Sequence, residues 1–215
     1  MEFPIDTMET AQSYRLLASV VVPRPIALVS TVDKSGVVNA APYSFFNLLG
    51  SSPPVVALGI ADKEAGSAKD TRANIASTGE FVVNLVHVGL ADAMNTCAID
   101  FPAGESELAA AHLTTAPSVR VAAPRLAEAR VSLECRLHSI VEIGNNRIVL
   151  GEVVFLHIDD EFIEPEKTRV HVEQLELIGR MHGGGWYLRT TDLFDLPRPN
   201  YADWLAKEQN TGETQ

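Results

Sequence analysis

The chain's 215 residues include 28 acidic and 17 basic side chains, a net charge of −11. Such a surface repels nucleic-acid phosphates and anionic lipid headgroups, so neither nucleic acid nor membrane is expected as a partner. Apolar residues at 46% and charged residues at 21% suit a globular chain with a substantial core.

The start, Met1-Glu2-Phe3-Pro4-Ile5-Asp6, is acidic and carries no apolar stretch of the signal-peptide kind. No apolar run approaches the roughly 20 residues that span a bilayer. A soluble, cytoplasmic protein is expected. Residues 25–32, PIALVSTV, are apolar and rich in β-branched side chains, and read as a strand. Asp33-Lys34-Ser35-Gly36 supplies turn chemistry, and Val37-Val38-Asn39 begins the second arm of a hairpin. Residues 39–47, NAAPYSFFN, mix small, amide, hydroxyl and aromatic side chains without a period. They read as a loop whose backbone N–H groups are available to a ligand.

Residues 55–60 and 81–86 read as short buried strands. Between them, Ser67 is expected to cap a helix running through Lys69, Asp70, Thr71, Arg72, Asn74 and Ile75, with Gly79 ending it. Residues 89–98 and 106–111 are further helix candidates. Residues 132–143 and 147–158 form an expected long hairpin about Gly144-Asn145-Asn146, whose tip supplies positive φ. Residues 172–178 read as another strand, and 197–207 as a Pro-rich turn leading into a helix. The chain divides into one domain, 1–207, and a polar tail, 208–215, expected to fray. Many strands with turns between them and few helices point to a barrel or sandwich rather than a doubly wound sheet.

Several chemistries lack their motifs. No GxGxxG follows a strand, and neither a Walker A sequence nor HExxH occurs. Cys97 and Cys135 are far apart and form no CxxC, so two buried, reduced thiols are expected rather than zinc or a disulfide. The six histidines show no metal-ligand spacing, and no metal site is expected. His182-Gly183-Gly184-Gly185-Trp186 has the look of a lipase oxyanion loop, but no GxSxG elbow accompanies it. That glycine run reads as backbone that turns sharply or lies close to something.

Three segments suit a flat, phosphorylated cofactor together: 23–31 continued by 39–47, then 69–75 (KDTRANI), then 179–187 (GRMHGGGWY). Lys69, Thr71 and Arg72 near a helix start offer charge, a hydroxyl and free amides to an anion. Read on composition alone, the same residues also fit a plain capped helix with solvated charges.

In chain order, RPIALVST, NAAPYSFFN, PPVVALGI, KDTRANI and FVVN resemble the flavin reductase-like, FMN-binding split-barrel family, over residues 14–199. The family includes flavoredoxins and the reductase components of two-component monooxygenases. The resemblance implies a mainly β fold with flanking helices, a Greek-key split barrel, assembled as a homodimer with FMN at or near the interface. It implies that Ser30, Thr31, Ser44, Phe45 and Asn47 meet the isoalloxazine and ribityl groups, and that Asn39 also binds the cofactor. Lys69, Thr71 and Asn74 are implied at the phosphate, and Arg180 and His182 in a C-terminal loop turned towards the flavin. The HGGGWY run is fuller in glycine than the family pattern. The implied activity is NAD(P)H:FMN reduction, with NADH or NADPH stacking on the ring and passing a hydride to N5. No side chain is needed as nucleophile or general base, so no catalytic residue is assigned. A monooxygenase is an implied partner. Two other readings stand beside it: a flavoredoxin-like electron relay that keeps its FMN, and a ligand-binding barrel without flavin.

Overall fold

The computed structural model describes residues 1–62, 68–102 and 105–205. The Ser67 cap and the 208–215 tail lie outside the described residues. A helix, α1 (Thr10–Val20), precedes a short strand β1 (Arg24–Pro25) and then β2 (Ala27–Val32), β3 (Val38–Tyr43), β4 (Phe46–Ser51) and β5 (Pro54–Ala61). Helix α2 (Asp70–Thr78) leads into β6 (Glu80–Leu85), and two short helices follow, α3 (Ala91–Thr96) and α4 (Glu107–Ala110). A small ribbon, β7 (Thr115–Ala116) with β8 (Arg125–Leu126), leads to the long pair β9 (Val131–Ile143) and β10 (Asn146–Ile158). A second ribbon, β11 (Ile163–Glu164) with β12 (Arg169–Val170), precedes β13 (Ile178–Arg180) and β14 (Tyr187–Arg189), which pair with β1 in a three-stranded sheet.

The main sheet has seven strands in the order β3-β2-β6-β9-β10-β5-β4, every neighbouring pair antiparallel. Its two edges, β3 and β4, are consecutive in the chain and joined only by Ser44 and Phe45. The sheet therefore coils until its edges meet, without a ladder between them among the described residues. A bond from Gly59 N–H to the Phe45 carbonyl, 2.7 Å, ties this junction to β5.

Apolar side chains fill both faces of the sheet. One cluster packs Val29, Leu58, Ile60, Ile75 and Phe81 inside the coil. The other packs Leu28, Leu90, Met94, Leu108 and Leu126 beneath the short helices. Phe81 is fully buried and sets a tight limit on its neighbour Gly151, at a register shift in β10. A Cβ on Gly151 would press into the Phe81 ring, with Cε1 at 2.7 Å. Gly151→Ala is expected to cost about 1–3 kcal/mol. Urea unfolding checks this, as a lowered midpoint with an unchanged slope.

The hairpins appear where the sequence puts them. The Asp33 carboxylate accepts from the N–H groups of Ser35 and Val37, at 2.8 and 2.9 Å, and fixes the first turn. In the second, only Gly144 carries positive φ, 58°, and Asn146 already pairs with Ile143. Gly79 ends α2 in the left-handed conformation, as expected.

Two segments differ from expectation. Residues 39–47 are not a loop: they form most of β3 and the start of β4. Pro42, which has no N–H, is tolerated because β3 is an edge strand. The small Ala40 and Ala41 let α2 and α4 lie across β3. Residues 172–178 are not a strand either. Gln174 N–H bonds the His171 carbonyl and Leu175 N–H the Val172 carbonyl, closing turns instead. Leu175 plugs a small cluster with Val131 and Phe162, so its apolar character serves a turn. The strand begins only at Ile178.

Candidate functional site

A groove follows β3 to the β3–β4 junction. Three adjoining cavities make it up, of about 170, 240 and 470 Å³. The first two share Pro42 and Ala98; the second and third share Ser44, Arg180 and Gly184. The groove thus links the head of α2 to the glycine loop after β13.

At the α2 end, Lys69 occupies the N-cap position. The first intrahelical bond runs from Ala73 N–H to the Lys69 carbonyl, 3.0 Å, so the amides of Thr71 and Arg72 precede the ladder. The Lys69 ammonium meets no carboxylate among the described residues. Tyr43 faces the same cavity from β3, its hydroxyl buried beside the Thr71 side chain. Burial pushes its pKa up to about 12, so the group stays protonated and able to donate. Asp70, Asp100 and Glu107 also line this cavity. Three carboxylates thus share this end of the groove with Lys69 and the leading amides of α2.

The Glu107 carboxylate is engaged in the wall. It accepts from Ala40 N–H at 3.1 Å and, with the Asn39 amide turned to satisfy both ends, from Asn39 Nδ2 at 3.1 Å. In that orientation Asn39 Oδ1 accepts from the Thr71 hydroxyl at 3.0 Å. With the amide turned the other way, Asn39 donates to Thr71 Oγ1 at the same 3.0 Å, and the threonine proton is released for another acceptor. Sequence reading missed Glu107, since one glutamate at a helix start carries no signal. Cys97, at the edge of this cavity, is a buried free thiol whose pKa burial and then the Glu107 charge raise to about 12. It is no nucleophile at neutral pH. Cys135 is likewise buried and free.

The other sequence-predicted residues divide. Ser44 lines the groove where the second and third cavities meet, and Arg180 stands beside it. His182 lines the third cavity, its ring parallel to Trp186 at 6.1 Å. Phe45 is half exposed at the junction, edge-on to Tyr14 and beneath the Arg24 guanidinium. Asn47 lies on the exposed edge strand β4, its Oδ1 accepting from Leu48 N–H. Ser30 and Thr31 are fully buried within β2. The Ser30 hydroxyl donates to the Pro124 carbonyl and accepts from Asn84. Thr31 Oγ1 accepts from Asn74 Nδ2 at 3.0 Å. The hydroxyls of Ser30 and Thr31 and the Asn74 amide are thus engaged inside the protein. They brace the site: Thr31 and Asn74 fasten α2 to β2, which fixes where Lys69 stands.

Arg24 is the other residue that sequence reasoning left without a role. It is buried, yet its guanidinium faces carbonyls rather than a carboxylate. Nη1 donates to Ala18 and Val21 at the end of α1, Nη2 to Met181, and Nε to Ser44 Oγ, at 2.7, 2.9, 3.3 and 3.3 Å. The negative end of the α1 dipole compensates its charge. Arg24 therefore joins α1, the junction and the glycine loop around the groove. A lone charge between two prolines at the start of an apolar strand was the available signal.

A comparison with known families decides the assignment. The model described as "Flavin reductase like domain" matches residues 19–173. The chain belongs to the flavin reductase-like family. An uncharacterized protein of Deinococcus radiodurans is 46% identical, over 96% of this chain and 93% of its own. Among solved structures, nitrilotriacetate monooxygenase component B from Bacillus cereus is 33% identical with a TM-score of 0.86, covering 91% of this chain and 98% of that one. Pseudomonas fluorescens 2-nitrobenzoate 2-nitroreductase NbaA is 35% identical with a TM-score of 0.85, covering 94% and 98%. The fold is accordingly the mostly β split barrel of flavin reductases. As a member of the family, the protein is a flavoprotein of the oxidoreductase class. Among the described residues no helix is long and apolar enough to cross a membrane, and no cluster of histidine, cysteine and carboxylates has the makings of a metal site.

Proposed function

We propose that the groove holds FMN and that the protein is a cytoplasmic NAD(P)H-dependent flavin reductase. The observation that carries this reading is the head of α2, where Lys69, Thr71 and amides outside the helical ladder stand at one end of the groove along β3. Lys69, Thr71 and the first amides of α2 would hold the phosphate there. Pro42 and Ser44 would line the stretch along the flat ring, leaving one face open to a second planar molecule.

Bound flavin supplies the two-electron chemistry, accepting a hydride from a reduced nicotinamide. The residues of this chain bind and orient. Arg24 holds Ser44 and the glycine loop at the ring's end of the groove, and the Thr31–Asn74 bond holds the phosphate end in register with β3. No side chain here is required to take or give a proton, consistent with a thiol and a phenol both kept protonated by burial.

A second copy of the chain is part of the proposal. Leu17 and Val20 on α1, Val21 just after it, and Leu48 and Leu49 on β4 are 47–72% exposed. An apolar, unpartnered edge strand is a surface that a soluble protein covers. Covering it in a homodimer would bring the partner against the Phe45 end of the groove. The likeness to a monooxygenase component favours a role in delivering reduced flavin to a monooxygenase.

Purified protein is expected to oxidise NADH or NADPH in the presence of FMN, read as loss of absorbance at the reduced-nicotinamide band. No oxidation with either donor at any flavin concentration contradicts the proposal. Retention of FMN through gel filtration, with reduction only by a protein partner, instead supports the flavoredoxin-like relay.

A further inference from the structure

The third cavity of the groove, about 470 Å³, has an unusual lining for this chain. Arg15, Arg24, Arg180 and His182 line it, and among the described residues no carboxylate does. The protein as a whole carries a net charge of −11. A cavity bearing only cationic and neutral groups on such a surface is a local reversal of field. Low-dielectric walls focus that field on its contents.

The three arginines are not equivalent. Arg24 is engaged by four acceptors and compensated by the end of α1. Arg180 donates one bond, to the Gly183 carbonyl at 2.8 Å, and lies over the Tyr187 ring at 4.8 Å. That stacking fixes the plane of the guanidinium while leaving N–H groups directed elsewhere. Arg15, one turn before the end of α1, meets no carboxylate among the described residues. Trp186, 65% exposed, lies parallel to the His182 ring and offers a flat apolar platform beside that lining residue. Gly184 borders both this cavity and the one before it, so the two adjoin.

We propose that this vestibule binds the phosphate groups of the nicotinamide dinucleotide donor, with Arg15 and Arg180 as the residues that read them. The inference rests on the reading of the groove as the flavin site. The vestibule adjoins the open end of that site rather than the Lys69 end. Guanidinium forks pair with phosphate oxygens bidentately, and an exposed indole accepts a nucleotide base by stacking. An uncharged hydride donor, which brings no phosphate, has nothing here to bind.

The test uses the full chain with FMN and compares NADH and NADPH with 1-benzyl-1,4-dihydronicotinamide, a hydride donor without phosphate. The Arg15→Gln/Arg180→Gln double variant is expected to lower kcat/KM for the dinucleotides about tenfold or more relative to the uncharged donor. Most of the change should fall in KM, and added salt should raise KM more in the unmodified protein than in the variant. FMN and riboflavin affinities, followed by fluorescence quenching, are measured in parallel, because Arg180 also lines the flavin groove. An unchanged ratio between charged and uncharged donors overturns the proposal. So does a selective loss of FMN over riboflavin, which would place these arginines on the flavin phosphate. A shift of the oligomer on gel filtration with the donor ratio unchanged overturns it too, by assigning the arginines to carboxylates of a second copy. Failure of the unmodified protein to bind flavin at all is a different result, and sinks the flavin reading itself.

Discussion

Lys69→Ala combined with Thr71→Ala is expected to weaken FMN binding by on the order of 100-fold while changing riboflavin affinity little. Each charge-assisted bond to a phosphate is worth about 1.5–3 kcal/mol, and tenfold in affinity is about 1.4 kcal/mol. The comparison with riboflavin removes the structural part of the effect. Thr71 is buried and bonded to Asn39, so its loss disturbs β3 and α2 for both ligands. Only the phosphate differs between them. Fluorescence titration of both flavins reads the result. Equal losses would mean that the head of α2 does not meet the phosphate.

The second large effect concerns the support of the barrel. Glu134 is fully buried on β9, and its carboxylate collects the N–H groups of Val119, Arg120 and Val121 at 2.7, 2.6 and 3.2 Å. It also bonds His157 Nε2 at 2.6 Å. Pro124, a few residues on, receives the Ser30 hydroxyl, so this loop braces β2 from behind. Glu134→Ala would leave three amides without their acceptor and is expected to cost on the order of 3 kcal/mol or more. The same carboxylate sets a pH dependence. Burial works to raise its pKa, but the His157 bond and the amide donors outweigh it, and the net shift is downward from 4.5. A depressed folded pKa gives stability that is fully present above the unfolded value and is lost as pH falls through the folded one. The unmodified protein should therefore lose stability below about pH 4.5, and Glu134→Gln should show a shallower acid limb. Urea midpoints across acidic pH check both; parallel curves would contradict the assignment.

The strand framework was legible in the sequence because most strands carry local marks. Residues 25–32 are apolar and β-branched, Asp33 and Gly36 build a turn, and Gly144 punctuates the long hairpin. The helix beginning at Lys69 and Asp70 was legible because charge, hydroxyl and a terminating glycine mark its ends. Other features depend on contacts between distant segments. Helix α1 escaped notice because it buries no residue completely; its end is held by Arg24 from beyond the helix. Residues 39–47 looked like a loop because edge strands tolerate proline, and because helices crossing β3 need alanines rather than alternating apolar side chains. Ser30, Thr31 and Asn74 matched the family motif, yet their polar groups are engaged inside the protein. A motif marks where the site is built, and here part of it holds the wall rather than facing the groove. Glu107 and Tyr43 became meaningful only once β3, α2 and α4 lay side by side.

The most direct test is a titration of the purified, flavin-free protein with FMN, followed by quenching of flavin fluorescence and by the shift of its visible absorption bands. The groove along β3 predicts saturable binding at one site per chain, tighter for FMN than for riboflavin. Fluorescence and absorption that stay those of free flavin at every protein concentration would contradict it.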